Sequence, residues 1–308
     1  MLNSRLGPVS YTHLDVYKRQ ILGCADKETK TGAMRLLVTL DQNYLTQLQV
    51  LLTSVKVNNS RETVHLYLMH SGIPAEKLAI VERQCRTIGY TLFPVRVDPV
   101  FFKDAPVTKR YPREMYYRLL APHLLPENLN RILYLDPDIL VINSLRPLWD
   151  LDLKGHLFAA ASHTGITEFA NSVNRLRLRT NSNYYNSGVL LMDLSRCRKE
   201  IVPKDIFAYA EKHKADLFLP DQDILNAMYW KRILPLDDAV WNYSARNYNS
   251  YLLRSSGKTD MDWVIANTSV LHFCGRTKPW APRYPYRFGI LYKHYFQLTQ
   301  KWFSQYME

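Results

Sequence analysis

Apolar strand patterns alternate with helix-period segments along the first half of this chain, and that alternation leaves few folds available. Arg35 to Leu40 is an apolar run that ends in polar Asp41-Gln42-Asn43. Leu45, Leu48, Leu51, Leu52 and Val55 then recur at helical spacing. Thr63 to His70 reads as a second strand, and Pro74 stands where a helix begins, with Leu78, Val81 and Cys85 inward. Tyr90 to Val97 is a third strand, Met115 to Leu124 a helix, and Arg131 to Leu135 a fourth strand. "HLFAAAS" and "NSGVLLMDL" read as two more strands, with helices over Pro203–Lys214 and Asp221–Trp230. Strand, helix, strand, helix with short connections predicts an α/β fold, a mostly parallel sheet covered by helices on both faces. Ligands of such sheets bind beyond the carboxyl ends of the strands. Asp41 and Asp136 both fall at such ends.

The 308 residues suffice for one large domain or two small ones. Lysine and arginine exceed the acids by 40 − 28 = 12, so the chain is basic and favours anionic partners. Cys24, Cys85, Cys197 and Cys274 form no CxxC pair and suggest neither a disulfide framework nor a zinc site. A reducing cytosol fits. No apolar run reaches the ~18 residues of a membrane span. Residues 1–33 differ from the rest: "MLNSRLGPVSYTHLDVYKRQ" resembles a translated vector or assembly scar and lacks a signal peptide's apolar stretch. They are expected to be a non-native or disordered leader, with Met34 the natural start. Gly165 to Tyr184 is polar, Asn-rich and Arg-rich, and reads as a long loop over the sheet edge, suited to a lid.

The run "RILYLDPDILVI" breaks at Asp136-Pro137-Asp138 and resumes. Two carboxylates inside an apolar segment are costly unless something pairs with them. Pro137 stiffens the turn and donates no hydrogen bond. Hard divalent cations take oxygen ligands, one or two carboxylates plus substrate phosphates. The alternative is a turn with solvated acids. Far along the chain, "VLHFCGRTKPW" places His272, Gly275 and Lys278 after another apolar strand. Imidazole is a plausible further ligand for manganese. Gly275 would let the backbone approach a phosphate, and Lys278 would bring a positive charge to it.

Taken with "VTLDQNY", "MYYRL", "LRPLWDLDL", "YYNSGVLLMDL" and "DQDILN", all in one collinear order over Met34 to Trp280, these motifs resemble family 8 glycosyltransferases. The likeness is to bacterial lipopolysaccharide galactosyl- and glucosyltransferases. It implies a GT-A (Rossmann-like) fold over 34–282, a UDP-sugar donor, dependence on Mn2+ (or Mg2+) and retention of anomeric configuration. By position it implies Asp136, Asp138 and His272 as metal ligands. Thr39, Leu40 and Asp41 would meet the uracil and Tyr44 would stack on it. Gly275 and Lys278 would hold the diphosphate, which Asp136 would reach through the metal. Arg118 would contact the donor, Asn186 and Ser187 would line the sugar pocket, and Asp221 would touch the transferred sugar.

For catalysis the resemblance points to Gln222 as a disputed nucleophile position; an amide is a poor nucleophile, which favours same-face attack by the acceptor. Asp223 is the alternative nucleophile, or else a residue that orients helix and ligands. Each residue has a plainer reading: Tyr44 packing in the first helix, Asp221 as an N-cap, Arg118 in a surface ion pair, Asn186 on strand backbone, Thr39 in the core. Relatives often carry an acid after the "AAA" strand where this chain has Ser162-His163, which bears on sugar and acceptor choice.

The tail, 283–308, continues a segment from Arg276 that interleaves aromatics with six Lys/Arg against one acid. Leu291, Tyr295, Leu298 and Trp302 predict a terminal helix. It either packs on the sheet domain or contacts the inner face of the plasma membrane peripherally, where a glycan or glycolipid acceptor would sit. The leading expectation is thus a cytoplasmic transferase. A catalytically silent UDP-sugar-binding protein with the same pocket is the alternative. A nucleic-acid-binding protein is disfavoured, because the basic residues form no repeated tract and no recognised module is present.

Overall fold

The computed structural model describes residues 32–106, 114–162, 176–178, 180–181 and 183–304. Residues 1–31 of the expected leader, His163, and most of the Gly165–Tyr184 loop lie outside them. The first strand, β1 (Met34–Thr39), leads into helix α1 (Leu45–Asn58), which crosses to β2 (Val64–His70). Helix α2 (Ala75–Thr87) crosses in turn to β3 (Tyr90–Arg96). Helix α3 (Glu114–Leu124) precedes β4 (Arg131–Leu135). After the Asp-Pro-Asp break comes β5 (Ile139–Val141), then β6 (Phe158–Ala161) and β7 (Val189–Asp193). Helices α4 (Pro203–Lys212) and α5 (Pro220–Tyr229), strands β8 (Ile233–Leu236), β9 (Tyr243–Ser244) and β10 (Val270–His272), and helix α6 (Gly289–Phe303) follow.

Seven strands form one sheet in the order β3-β2-β1-β4-β7-β6-β8, and three form a second in the order β5-β10-β9. In the large sheet β7 runs antiparallel to both neighbours and the other pairings are parallel, so the expected mostly parallel sheet is present. Period-2 alternation splits each central strand between two cores. Leu37, Ile132, Tyr134, Leu190 and Met192 face α3 and α5. Leu36, Val38, Leu133, Leu135, Val189 and Leu191 face α1 and α2. Strands buried on both faces explain why their sequences are apolar throughout.

β1 receives β2 on one side and β4 on the other, so the strand order reverses there. Crevices at such a reversal take ligands. Thr39–Asp41 and Asp136 project from its two walls. The Asp-Pro-Asp break also carries the chain from the large sheet into the small one. There β10 pairs antiparallel with β5, and the register sets His272 against Ile139. Phe273 N–H donates to the Asp138 carbonyl at 3.0 Å and extends that ladder.

Helix α1 is buried on more of its circumference than its leucines predict, including Val50, Thr53 and Ser54. The reason is α6. Tyr292, Tyr295, Thr299 and Phe303 turn inward from it. Thr299 Oγ1 donates to Thr53 Oγ1 at 2.9 Å, and Asn58 Nδ2 donates to Tyr295 Oη at 2.8 Å. The tail helix is therefore packed on the sheet domain through this face. Among the described residues no helix is long and apolar enough to cross a membrane.

Candidate active site

Asp136 and Asp138 leave the chain break with their carboxylates aimed at one imidazole. His272 Nε2 lies 3.2 Å from Asp138 Oδ1 and 3.6 Å from Asp136 Oδ2. One ligand atom from each of the three residues lies within 4.8 Å of the others. The second oxygen of each carboxylate is held elsewhere. Asp136 Oδ1 pairs with Arg118 Nη1 at 3.1 Å and accepts from Tyr134 Oη at 2.5 Å. Asp138 Oδ2 pairs with the Lys278 ammonium, which also donates to the Phe273 carbonyl at 3.1 Å. Two carboxylate oxygens and one imidazole nitrogen, converging from a partly buried wall, are a donor set suited to manganese or magnesium. The residues fit such an ion.

The cluster's own charges also pair with one another. Burial alone would raise the Asp138 carboxyl, yet the His272 imidazole and Lys278 hold it well below the usual carboxylate range. Burial opposes a charged imidazole at 272, but Cys274 and Asp138 outweigh it and raise it.

Helix α5 brings the next group. Arg118 Nε pairs with Asp221 at 3.2 Å, and its Nη1 donates to the Ser187 carbonyl and hydroxyl, both at 3.2 Å. Ser187 Oγ donates to Asp221 at 3.1 Å. Asn186 Nδ2 donates to Gln222 Oε1 at 3.1 Å. Arg118, Asp136, Asn186, Ser187, Asp221 and Gln222 are thus one connected cluster, and Arg118 is in no surface ion pair. Thr39 joins through Tyr134, hydroxyl to hydroxyl at 3.2 Å. Leu40 continues the β1 edge through its N–H to the Met69 carbonyl at 3.3 Å. Asp41 accepts from Asn43 N–H at 2.8 Å and opens the turn that presents Tyr44. That ring is 37 % exposed and meets Trp280 edge-on, so it does not pack in the α1 core. Asp221 lies within the first turn of α5 and makes no N-cap bond; Leu219 is the N-cap residue.

Asp223 stands apart. It is fully buried, and its carboxylate accepts from both terminal nitrogens of Arg177 at 2.8 and 2.7 Å. It also accepts from Tyr184 Oη at 2.5 Å and from the N–H groups of Phe218 and Leu219 at 2.6 and 3.1 Å. Gly275 has φ +97°, and an added Cβ would meet Arg246 Nη1 at 2.5 Å. Its glycine is favoured by that conformation, and the flexible Arg246 end would have to move aside for a side chain.

Three contributors escaped the sequence reading. Tyr134 lies two residues before Asp136, and strand alternation, which puts it on the same face, was the available signal. Gly188 leaves no room for a side chain: a Cβ would meet His272 Cε1 at 2.3 Å and Asp136 Oδ2 at 2.7 Å. Its place just ahead of β7 marked it as a point of close approach. Asn242, whose Oδ1 lies 2.9 Å from His272 Nδ1, carries no local signal.

A mostly parallel sheet whose strand order reverses beside an acid–acid–imidazole cluster places the chain in the GT-A class of fold. The structure overlays on the galactosyltransferase LgtC, solved with donor and acceptor sugar analogues, with a TM-score of 0.72 at 23% identity, covering 86% of this chain and 96% of that one. The chain belongs to glycosyl transferase family 8, whose model matches residues 35–283. It is 29% identical to general stress protein A of Bacillus subtilis (strain 168), over 89% of this chain and 96% of the relative. It is 28% identical to the lipopolysaccharide 1,2-glucosyltransferase of Escherichia coli (strain K12), over 78% of this chain and 71% of the relative.

Proposed function

We propose that the chain is a retaining glycosyltransferase that moves a hexose, galactose or glucose, from a UDP-sugar to a cell-surface glycan or glycolipid acceptor. The observation that carries this reading is the split use of the two aspartates. Each keeps one oxygen for His272 Nε2 and commits the other to a cation. Asp136, Asp138 and His272 would hold Mn2+ (or Mg2+), which when bound supplies Lewis-acid stabilisation of the departing diphosphate.

The chain's own groups do the rest. Tyr44, exposed at the crevice mouth, offers a stacking face to uracil beside Asp41 and the Thr39–Leu40 backbone. Lys278 is within reach of the cluster and carries the charge a leaving diphosphate needs. The Gly275 loop lies beside it. Arg118 ties the metal wall to the sugar wall, so Asn186, Ser187 and Asp221 meet the hexose in a fixed relation to it. Asp223, saturated by five donors, serves as the residue that orients α5. Of the two candidate nucleophiles that leaves only the Gln222 amide, a poor one, and supports same-face attack by the acceptor.

A cytoplasmic position against the inner face of the plasma membrane belongs to the same reading. The exposed Arg283, Arg287, Lys293 and Lys301 support its electrostatic part. The test is a UDP-sugar hydrolysis screen with Mn2+. One hexose nucleotide is expected to turn over, and Asp138→Ala to lose that turnover with its circular dichroism unchanged. Full activity in Asp138→Ala would end the metal assignment; no turnover of any UDP-sugar would favour the silent binder.

A further inference from the structure

Backbone N–H groups set the direction of a hydrogen-bond chain that joins α5 to the acid–imidazole cluster. A peptide nitrogen can only donate. Gly188 N–H donates to one end of the Asn186 amide at 2.9 Å, so that end is Oδ1. The same oxygen receives the Asn242 amide at 2.9 Å, so the Asn242 atom there is Nδ2. Asn242 Oδ1 is then the atom 2.9 Å from His272 Nδ1, and a carbonyl oxygen accepts. His272 Nδ1 therefore carries a hydrogen, and Nε2 is the ring atom left for a cation.

The direction also runs the other way. Asn186 Nδ2 donates to Gln222 Oε1, which accepts a second bond from Ser187 N–H at 3.4 Å. Two donors occupy the carbonyl oxygen of Gln222. Its Nε2, a donor, is the end of the amide that remains for a ligand.

Asn242 sits at the junction, fully buried between the short helix Asp238–Trp241 and β9. We propose that Asn242 is a positioning residue for transfer: its one amide selects the His272 tautomer that binds the ion and, through Asn186, presents Gln222 to the sugar as a hydrogen-bond donor. The inference rests on the proposed metal and donor, and it assigns Gln222 the part of a donor to the sugar. Groups around a ligating imidazole commonly change metal affinity about 10–100-fold when removed.

The experiment titrates the full chain with Mn2+ alone, following the free ion by electron paramagnetic resonance, and measures UDP-sugar hydrolysis separately. Asn242→Ala is expected to weaken Mn2+ binding about tenfold or more. Asn242→Asp keeps an acceptor for Nδ1–H, so it retains Mn2+ affinity. It also turns an acceptor against Asn186 Oδ1, so kcat falls about tenfold or more while Mn2+ stays bound. That split is the signature, because a merely structural role would move both readouts together. Wild-type Mn2+ affinity in Asn242→Ala overturns the proposal, as does equal loss of both readouts in Asn242→Asp. Should Asn242→Ala fail to fold, Asn242→Asp decides alone. If the wild type itself holds no Mn2+, the metal reading fails first and this proposal falls with it.

Discussion

Asp223 and Asp138 are both buried acids paired with cations, yet their surroundings give them opposite duties. Asp138 keeps an oxygen beside His272 Nε2, whereas Asp223 has every lone pair engaged by Arg177, Tyr184 and the Phe218–Leu219 backbone. A fully solvated or open carboxylate could attack a sugar; one this enclosed would first have to abandon its partners. Removing one member of a buried ion pair costs about 3–5 kcal/mol. Asp223→Asn is therefore expected to lower unfolding free energy by about that amount in urea denaturation. A nucleophile would instead lose turnover at unchanged stability, and that outcome would reverse the assignment. At this scale the sequence was only partly readable. The motif residues are chemically distinctive in themselves. Tyr134, Gly188 and Asn242 matter through what they touch, and contacts as long as the 95 residues between Thr39 and Tyr134 leave no mark on local spacing.

Elements explain where the reading of the sequence succeeded and where it stopped. Each central strand announces itself by apolar residues on both faces, and α1 by leucines at helical spacing. The second sheet does not announce itself, because β5, β9 and β10 are two or three residues long and find each other only in the folded chain. Helix α6 shows the same limit. Its periodicity predicted a helix, but whether its aromatics faced lipid or protein was decided by α1, which buries Val50 and Thr53 beneath it. Phe303 is fully buried in the core shared with α1. Phe303→Ala is expected to cost about 3–5 kcal/mol in urea denaturation. A loss under about 1 kcal/mol would mark the helix as a separable appendage.

For the whole molecule, the cluster joins two sheets, so its ligands report on both at once. An ion or nucleotide that binds only the folded chain stabilises it by about 2.7 kcal/mol at a hundred times its dissociation constant. In a protein of this size that is a rise in Tm of about 4 °C. Mn2+ with UDP is expected to produce such a rise, EDTA to remove it, and Asp138→Ala to show none. A rise that survives EDTA would place the nucleotide without the ion.

The short ladder between β5 and β10 fixes more than distance. In a pleated pair, sliding one strand by a single residue sends every side chain to the opposite face. His272 stands against Ile139, next to Asp138. A slip of one position would swing the imidazole away entirely, since no intermediate pairing exists. Convergence of the three side chains is consequently all-or-none in register: a slipped seam yields molecules that lack the cluster among molecules that hold it.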